Sequence, residues 1–512
     1  MIRINANKPI EKIHNFWNNI HFHPTDAIED EWGKEILDVV SRDKVAQRVR
    51  IYAMLEDIVT EDANGNLQYD FTDTDTRIDY MVEKGFKLLI CMNFLPTAIA
   101  ADKKCISDDV RYKGKRLNTS APIYELWQEV CATYVQHLLD RYGKELVCTW
   151  YFHCWNEANH MDFWMSNEKD WHARTDAYIK LYDYFAEGIK GVCKDIKIGG
   201  PSAGYNAGLY PYEPDYHGRA DYAMLRKFFS HIKSGKNFAN GGIGAPIDFY
   251  SIHVYGAKFD YITLDPEDSY RIGYEHQLVA AEYGYENLPL IGDEWEAVGG
   301  GWFTIDKQPS IAYRNTERFP AHYFALIKCF LDHHAPYQHL MICLSGQHDL
   351  TKEFSGSRTF ASKSGFRLPI YNGYALAAML GNTRLFCEND TKIGVIPTAH
   401  DNGDITIALY NYSIYPLKPY GAQHIELNVE IPEGEYTVEH YRIDAEHCNS
   451  YRAWCKLGKP ETMTQVERET IRRAQNIKTM YPNETISGNV FNDKIVMPDD
   501  SVSVIRLIKN NK

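Results

Sequence analysis

Residues 147–164 read VCTWYFHCWNEANHMDFW. The apolar positions Val147, Trp150, Tyr151, Phe152 and Trp155 are rich in residues that favour an interior strand. They predict a buried strand over 147–155 that stops at the polar pair Asn156-Glu157 and turns into a loop. A carboxylate placed just after such a strand sits at the mouth of a sheet or barrel, where α/β enzymes hold their chemistry. The same pair also suits a helix cap, so this stretch alone leaves a catalytic and a structural reading open.

Working outward, strand-like runs recur at 16–22, 49–55, 87–94, 196–201, 249–256, 288–295 and 340–345. Helical patterns separate them, at 30–41, 74–84, 122–142, 174–194, 222–234, 270–285 and 312–333. With 147–155 the strands number eight, and the alternation predicts a TIM (β/α)8 barrel over 13–375. Beyond about Tyr371 the period changes to two, in 404–412, 423–431, 435–444 and 501–508. Turn signals at 402–403 and 432–434 punctuate these runs. They predict a C-terminal β-sandwich accessory domain over 376–512, with one helix inserted at 462–476. Residues 1–12 alternate (IRINA) and suit one strand that pairs elsewhere.

The chain has 512 residues, enough for a barrel plus a second domain. A net charge of −14 argues against a nucleic-acid partner held through phosphates and suits a neutral substrate. Aromatic content of 13% would supply sugar-stacking platforms, and a large core needs the same residues. No run is long enough to span a bilayer, so no membrane partner is expected. The opening MIRINANKPIEKI has no apolar signal core, and the 11 cysteines are odd in number and scattered. Both point to a cytoplasmic protein with reduced thiols, although a trimmed secreted or periplasmic chain would read the same. A homo-oligomer is compatible with the sequence.

Two carboxylates stand out: Glu157 after strand four and Glu294 at the end of strand seven. Strands four and seven lie across a barrel from one another, and their C-terminal ends converge on one cleft. Facing carboxylates suit glycoside hydrolysis, one protonated to donate to the leaving oxygen and one ionised to attack. Asn156 is placed to bond a sugar hydroxyl. Tyr255 on strand six is placed to donate to Glu294 and keep it ionised. The negative charge of Glu294 is expected to raise the pKa of Glu157. Glu296 is the rival to Glu294, since alternation puts both on one side of a continuing strand. His253 shares a side with Tyr255 and is either a site residue or a satisfied core histidine. His21 and His23 end strand one and suit the cleft lining, but no third ligand follows at metal spacing, so no metal is expected. Gly299-Gly300-Gly301 lacks the Lys-Ser/Thr of a phosphate loop, so no cofactor is expected either, and Trp302 behind it is a candidate sugar platform. His333-His334 suits a helix C-terminus, and the charges of 467–473 suit a solvated helix face.

The stretches WNEANHMDFW, DFYSIHVYG and PLIGDEW resemble glycoside hydrolase family 39, the family of β-xylosidases and α-L-iduronidases. RVRIYAMLED, FTDTDTRIDYMVEKGFKLLICMNFLP, RYGKELVCTWYF, IKIGGPSA and YRIDAEHCNSYRAWCKLGKP extend the resemblance over nearly the whole chain. It implies a retaining exo-glycosidase acting on oligosaccharides, most nearly β-xylosidase-like. Glu157 would be the acid/base and Glu294 the nucleophile, with Asn156, His253 and Tyr255 beside them. The family's Asn-Glu-Pro-Asn is Asn156-Glu157-Ala158-Asn159 here. Its Arg-x-His-Gly on strand two is Arg50-Ile51-Tyr52-Ala53, which puts Tyr52 where a sugar-facing histidine is usual. Its Phe-Glu-Val-Trp on strand four is Phe152-His153-Cys154-Trp155, and its acidic strand-eight region reads LSGQHDLTKEF. These departures leave the reaction class intact and the glycone open: an α-L-arabinopyranoside or a uronide would use the same machinery. A uronide needs basic residues over its carboxylate, and the strand-end loops are poor in Lys and Arg. A catalytically inactive, carbohydrate-binding barrel is the reading from another class.

Overall fold

The computed structural model describes residues 1–22, 31–107, 116–204, 220–257, 263–299, 304–344 and 352–510. After an N-terminal strand β1 (Ile2–Lys12), the barrel begins with β2 (Asn19–Phe22) and β3 (Arg48–Tyr52). A small hairpin, β4 (Val59–Glu61) and β5 (Leu67–Tyr69), follows. The barrel continues through β6 (Lys87–Met92), β7 (Tyr151–Cys154), β8 (Lys197–Ala203), β9 (Phe249–Ala257), β10 (Leu290–Val298) and β11 (Tyr337–Leu344). These eight strands close in the order β2-β3-β6-β7-β8-β9-β10-β11, all parallel. Helices such as Tyr124–Tyr142 and Trp171–Val192 make the crossovers. Their cover buries the strands on both faces, and β3, β7 and β10 are buried at every position. That is why such strands read as apolar runs and not as alternation.

The barrel interior is layered. Leu89, Tyr151, Phe249, Ile291 and Met341 form a closed apolar cluster, one residue from each of five strands. Side chains alternate faces, so the residues two further on also point inward. Those are Cys91, His153, Ser251, Asp293 and Cys343, a polar layer nearer the C-terminal rim. Two bulges perturb this order. Gly292 pairs with Ile252 and Glu294 with His253, which leaves Asp293 as the extra residue on β10. Likewise Pro201 pairs with Ser251 and Ala203 with Ile252, which leaves Ser202 as the extra residue on β8. A bulge re-aims side chains locally, and so the consecutive residues Asp293 and Glu294 both reach the interior.

The strand ends differ from expectation. Lys144–Val147 is a short helical turn that starts from Gly143 in the left-handed region (φ 80°), and the strand opens only at Tyr151. Val147 and Trp150 are buried all the same. In the other direction β10 runs on to Val298, past the expected end at 295.

The second sheet contains β12 (Thr383–Asn389), β13 (Gly394–Ala399), β14 (Ile405–Asn411), β15 (Gln423–Ile443), β16 (Glu484–Met497) and β17 (Ser501–Lys509). Its order is β1-β12-β13-β14-β17-β15-β16, and β1 also pairs in parallel with β15. The sheet therefore curls back on itself, and Ile4, Leu385, Ile407, Val429 and Ile505 belong to the apolar cluster that it buries. The turn expected at 432–434 is instead a bulge within one long strand, between Glu430 and Gly434. Pro432 falls in that bulge, where the ladder asks for no N–H. The inserted helix, Gln465–Ala474, is capped by Thr464. Polar contacts fasten sheet to barrel: Arg318 pairs with Asp500 at 2.8 Å, and the Tyr412 hydroxyl donates to Leu264 O at 2.6 Å. Among the described residues no helix is long and apolar enough to cross a membrane.

Candidate active site

Glu157 follows β7 in a left-handed conformation (φ 46°), and its N–H donates to Ser202 O at 3.0 Å. Such a backbone costs a non-glycine residue about 1–2 kcal/mol, so the loop is held by its contacts. Asn159 fastens it further: its amide donates to Gly204 O (2.8 Å) and its Oδ1 accepts from Gly204 N (2.9 Å). Glu294 projects from β10 across the barrel mouth. One carboxylate oxygen of Glu157 and one of Glu294 lie within 4.8 Å of each other, with a His253 nitrogen in the same group.

Both oxygens of Glu294 are held. Oε1 accepts from Arg50 Nη1 at 2.7 Å, and His21 Nε2 lies 3.7 Å away. Oε2 accepts from the Tyr255 hydroxyl and from Cys343 Sγ, the latter at 3.4 Å. Arg358 Nη1 in turn donates to the Tyr255 hydroxyl at 2.7 Å. Arg50 is wholly buried and spends its fork on several partners. Nη2 donates to Asn156 Oδ1 (2.8 Å), Nε donates to His153 Nε2 (3.1 Å), and Asp293 Oδ2 lies 3.3 Å from Nε. His253, also wholly buried, sets Nδ1 against Glu157 Oε1 at 2.6 Å and Nε2 against Ser202 Oγ at 3.1 Å.

The electrostatics divide the two carboxyls from their ordinary behaviour. Burial pushes the Glu294 carboxyl up, but the charges of His253, Arg50, His21 and Arg358 outweigh it and hold Glu294 well below the usual glutamate range. Burial also pushes Glu157 up, yet His253 and His160 bring it below its usual value. This corrects the expectation of a raised Glu157: the neighbouring imidazoles outweigh the Glu294 charge. Burial lowers His253, but Glu294, Glu157 and Asp293 more than restore it, so its proton is held above the ordinary histidine range. Burial and Arg50 keep His153 neutral, which lets its Nε2 accept from Arg50.

Of the residues singled out in the sequence, Glu157, Glu294, Asn156, His253, Tyr255 and His21 converge here. Tyr52 stands beside them, its ring 5.3 Å from that of His21 and 5.1 Å from the Arg50 guanidinium. Trp302, His23 and the segment 345–348 lie outside the described residues. Glu296, the rival carboxylate, is committed elsewhere: it accepts from Tyr313 and from Arg314 Nε at 3.0 Å. Seven residues of the site carried no assigned role in the sequence: Arg50, His153, His160, Ser202, Asp293, Cys343 and Arg358. Arg50 had a signal, since a charge inside the buried run Val49-Arg50-Ile51 must be paired. The strand-end loops read as poor in Lys and Arg, and the site takes its cations from elsewhere: Arg50 from within β3 and Arg358 from the segment well beyond β11. Metal-ligand groupings exist at Glu157–His253–Glu294 and His21–Glu294–Cys343, but their donor atoms already bond to one another, to Arg50 or to Tyr255.

A parallel barrel that presents two facing carboxylates at its C-terminal rim has the layout of a glycosidase. The model for glycosyl hydrolases family 39 matches residues 1–490, and the chain belongs to that family. It is 26% identical to a beta-xylosidase of Caldicellulosiruptor saccharolyticus, over 98% of this chain and 96% of that one. It is 22% identical to the alpha-L-iduronidase of Mus musculus, over 90% of this chain and 73% of that one. The crystal structure of a monomeric beta-xylosidase from Caulobacter crescentus CB15 superposes with a TM-score of 0.80 at 20% identity, covering 100% of this chain and 99% of that one. The chain is thus a glycoside hydrolase with an oligosaccharide substrate, on a barrel that carries a C-terminal sheet domain.

Proposed function

We propose that the protein is a retaining exo-glycosidase, most nearly β-xylosidase-like, with Glu294 as nucleophile and Glu157 as acid/base. The observation that carries the reading is the approach of the two carboxylates to within 4.8 Å. Retention calls for carboxyl groups about 5–5.5 Å apart, whereas inversion needs about 6.5–9.5 Å to admit a water. Glu294 is ionised and fixed at both oxygens, as an attacking group requires. Glu157 Oε1 and His253 Nδ1 share one proton across their 2.6 Å contact, and Glu157 delivers it to the leaving oxygen. When Glu294 becomes a glycosyl ester its charge disappears, and Glu157 then takes a proton from the incoming water.

One observation favours a second glycone. Arg358, buried against Tyr255, adds a cation next to the sugar site, and a uronide carboxylate would pair with it. Release of nitrophenol from β-D-xyloside, α-L-arabinopyranoside, β-D-galactoside, β-D-glucoside and α-L-iduronide tests both readings, with Glu294→Gln as control. A hit that falls by about 10³-fold or more in the variant supports the nucleophile and names the sugar. A hit that survives in Glu294→Gln rejects it.

A further inference from the structure

His253 is carried on β9 between two bulged strands, and each bulge aims one polar side chain at it. Ser202, the extra residue of β8, lies in the left-handed region (φ 52°) with Oγ 3.1 Å from His253 Nε2. Asp293, the extra residue of β10, accepts from Ser202 Oγ at 2.6 Å, and its Oδ2 lies 3.8 Å from His253 Nε2. A serine hydroxyl has one proton. Ser202 gives that proton to Asp293, and the same Oγ accepts from Arg50 Nη2 at 3.3 Å. Toward His253, Oγ therefore presents a lone pair, and Nε2 must carry the hydrogen. Ser202 is wholly buried and its hydroxyl is occupied, which makes it a scaffold and not a nucleophile.

We propose that Ser202 and Asp293 are positioning residues that hold His253 with a proton on Nε2, so that Nδ1 and Glu157 keep one proton between them. The inference rests on the acid/base role given to Glu157 above. In the resting site the shared proton lies between Nδ1 and Oε1. During glycosyl transfer it forms the O–H bond of the departing alcohol while the C–O bond to the sugar breaks, and Glu157 is left as carboxylate against a neutral imidazole. Water then supplies the replacement proton as its oxygen attacks the glycosyl ester. The groups facing His253 are Glu157 from the loop after β7, Glu294 and Asp293 from β10, His153 from β7, Ser202 from β8 and Tyr255 from its own strand. Arg50 from β3 reaches it through Ser202.

The test uses Ser202→Ala and Asp293→Asn in the full chain, each checked by thermal melting. Loss of the acid's proton control should lower kcat/KM about tenfold or more on glycosides with poor leaving groups. On dinitrophenyl glycosides, which need no acid, the change should stay under about threefold. The basic limb of the pH profile should shift in both variants. A variant impaired equally on both substrate classes, with its pH profile unmoved, would mean a merely structural role and overturn the proposal. Nitrogen-15 spectra of labelled histidine give a readout independent of activity, with His253→Gln used for assignment. In the wild type His253 should hold its hydrogen on Nε2 across neutral pH, and Ser202→Ala should scramble the tautomer. An unchanged tautomer overturns the proposal. If the wild type cleaves no glycoside, the acid/base reading fails separately, and the tautomer result still decides this one.

Discussion

Arg50 Nη1 meets Glu294 Oε1 at 2.7 Å, with the guanidinium wholly buried. The contact joins the second and seventh strands of the barrel through its interior. Removing one member of such a pair leaves an uncompensated buried charge, at a cost of about 3–5 kcal/mol. Arg50→Met should therefore lower stability by about that amount in denaturant unfolding. It should also reduce kcat/KM by about 10²-fold or more, since Glu294 loses its orientation. Arg50→Lys keeps the charge but not the fork to Asn156 and His153, and should recover stability better than activity.

The direction of the Glu294 shift gives a pH prediction. Its folded value lies well below the ordinary glutamate value, with burial opposing and His253, Arg50, His21 and Arg358 prevailing. Its ionisation thus stabilises the fold fully above the unfolded value of about 4.3, and that contribution is lost as pH falls through the folded value. The acidic limb of kcat/KM should lie below about pH 4.3. Urea unfolding from about pH 3 to 7 should show a shallower acid-side decline for Glu294→Gln than for the wild type.

His253 gives the opposite sign. Its folded value is raised by Glu294, Glu157 and Asp293 against burial. The stabilisation is fully present below the unfolded value of about 6.5 and is lost as pH rises through the folded value. His253→Gln should therefore be most destabilised relative to wild type at mildly acid pH and approach it in alkali, as measured by the same unfolding curves.

Much of this architecture was legible in the chain. The buried strands announce themselves as apolar runs, and the partners of Glu294 at Tyr255 and His253 follow from period-two alternation along β9. The bulges were not legible. Nothing local in Ile291-Gly292-Asp293-Glu294 says that one residue is extra, because the slip is defined only by pairing with β9. For the same reason the expected strand 196–201 stops just short of Ser202, which lies within β8. The helical turn at Lys144–Val147 was hidden because Val147, its one β-branched residue, is buried as an interior strand would also require. Strand β16 escaped because its sequence ETISGNVFNDKIVM is largely exposed and polar, with little apolar alternation to find.

Gly204 offers a selective probe of Glu157. A Cβ built there would stand 2.5 Å from Glu157 Oε1 and 2.7 Å from the His160 ring. Gly204→Ala should displace the carboxyl and lower kcat on poor leaving groups by about tenfold or more. The melting temperature should change little, since the nearest atoms are ends of side chains.

Away from the site, Thr464 forms a capping box with Glu467 at the start of the helix Gln465–Ala474. Thr464→Ala should cost about 1 kcal/mol in unfolding experiments and leave kcat/KM unchanged.

The central claim is that Glu294 attacks the sugar. The most direct measurement is intact-mass and peptide-map analysis after incubation with an activated 2-deoxy-2-fluoro glycoside of the sugar identified by the aryl-glycoside panel. The fluorine slows release of a covalent intermediate. A nucleophilic Glu294 predicts a mass gain of one fluoroglycosyl unit, carried on the peptide that contains Glu294 and lost in Glu294→Gln. Turnover with no adduct and with inversion at the anomeric carbon, or an adduct on Glu296, would contradict it.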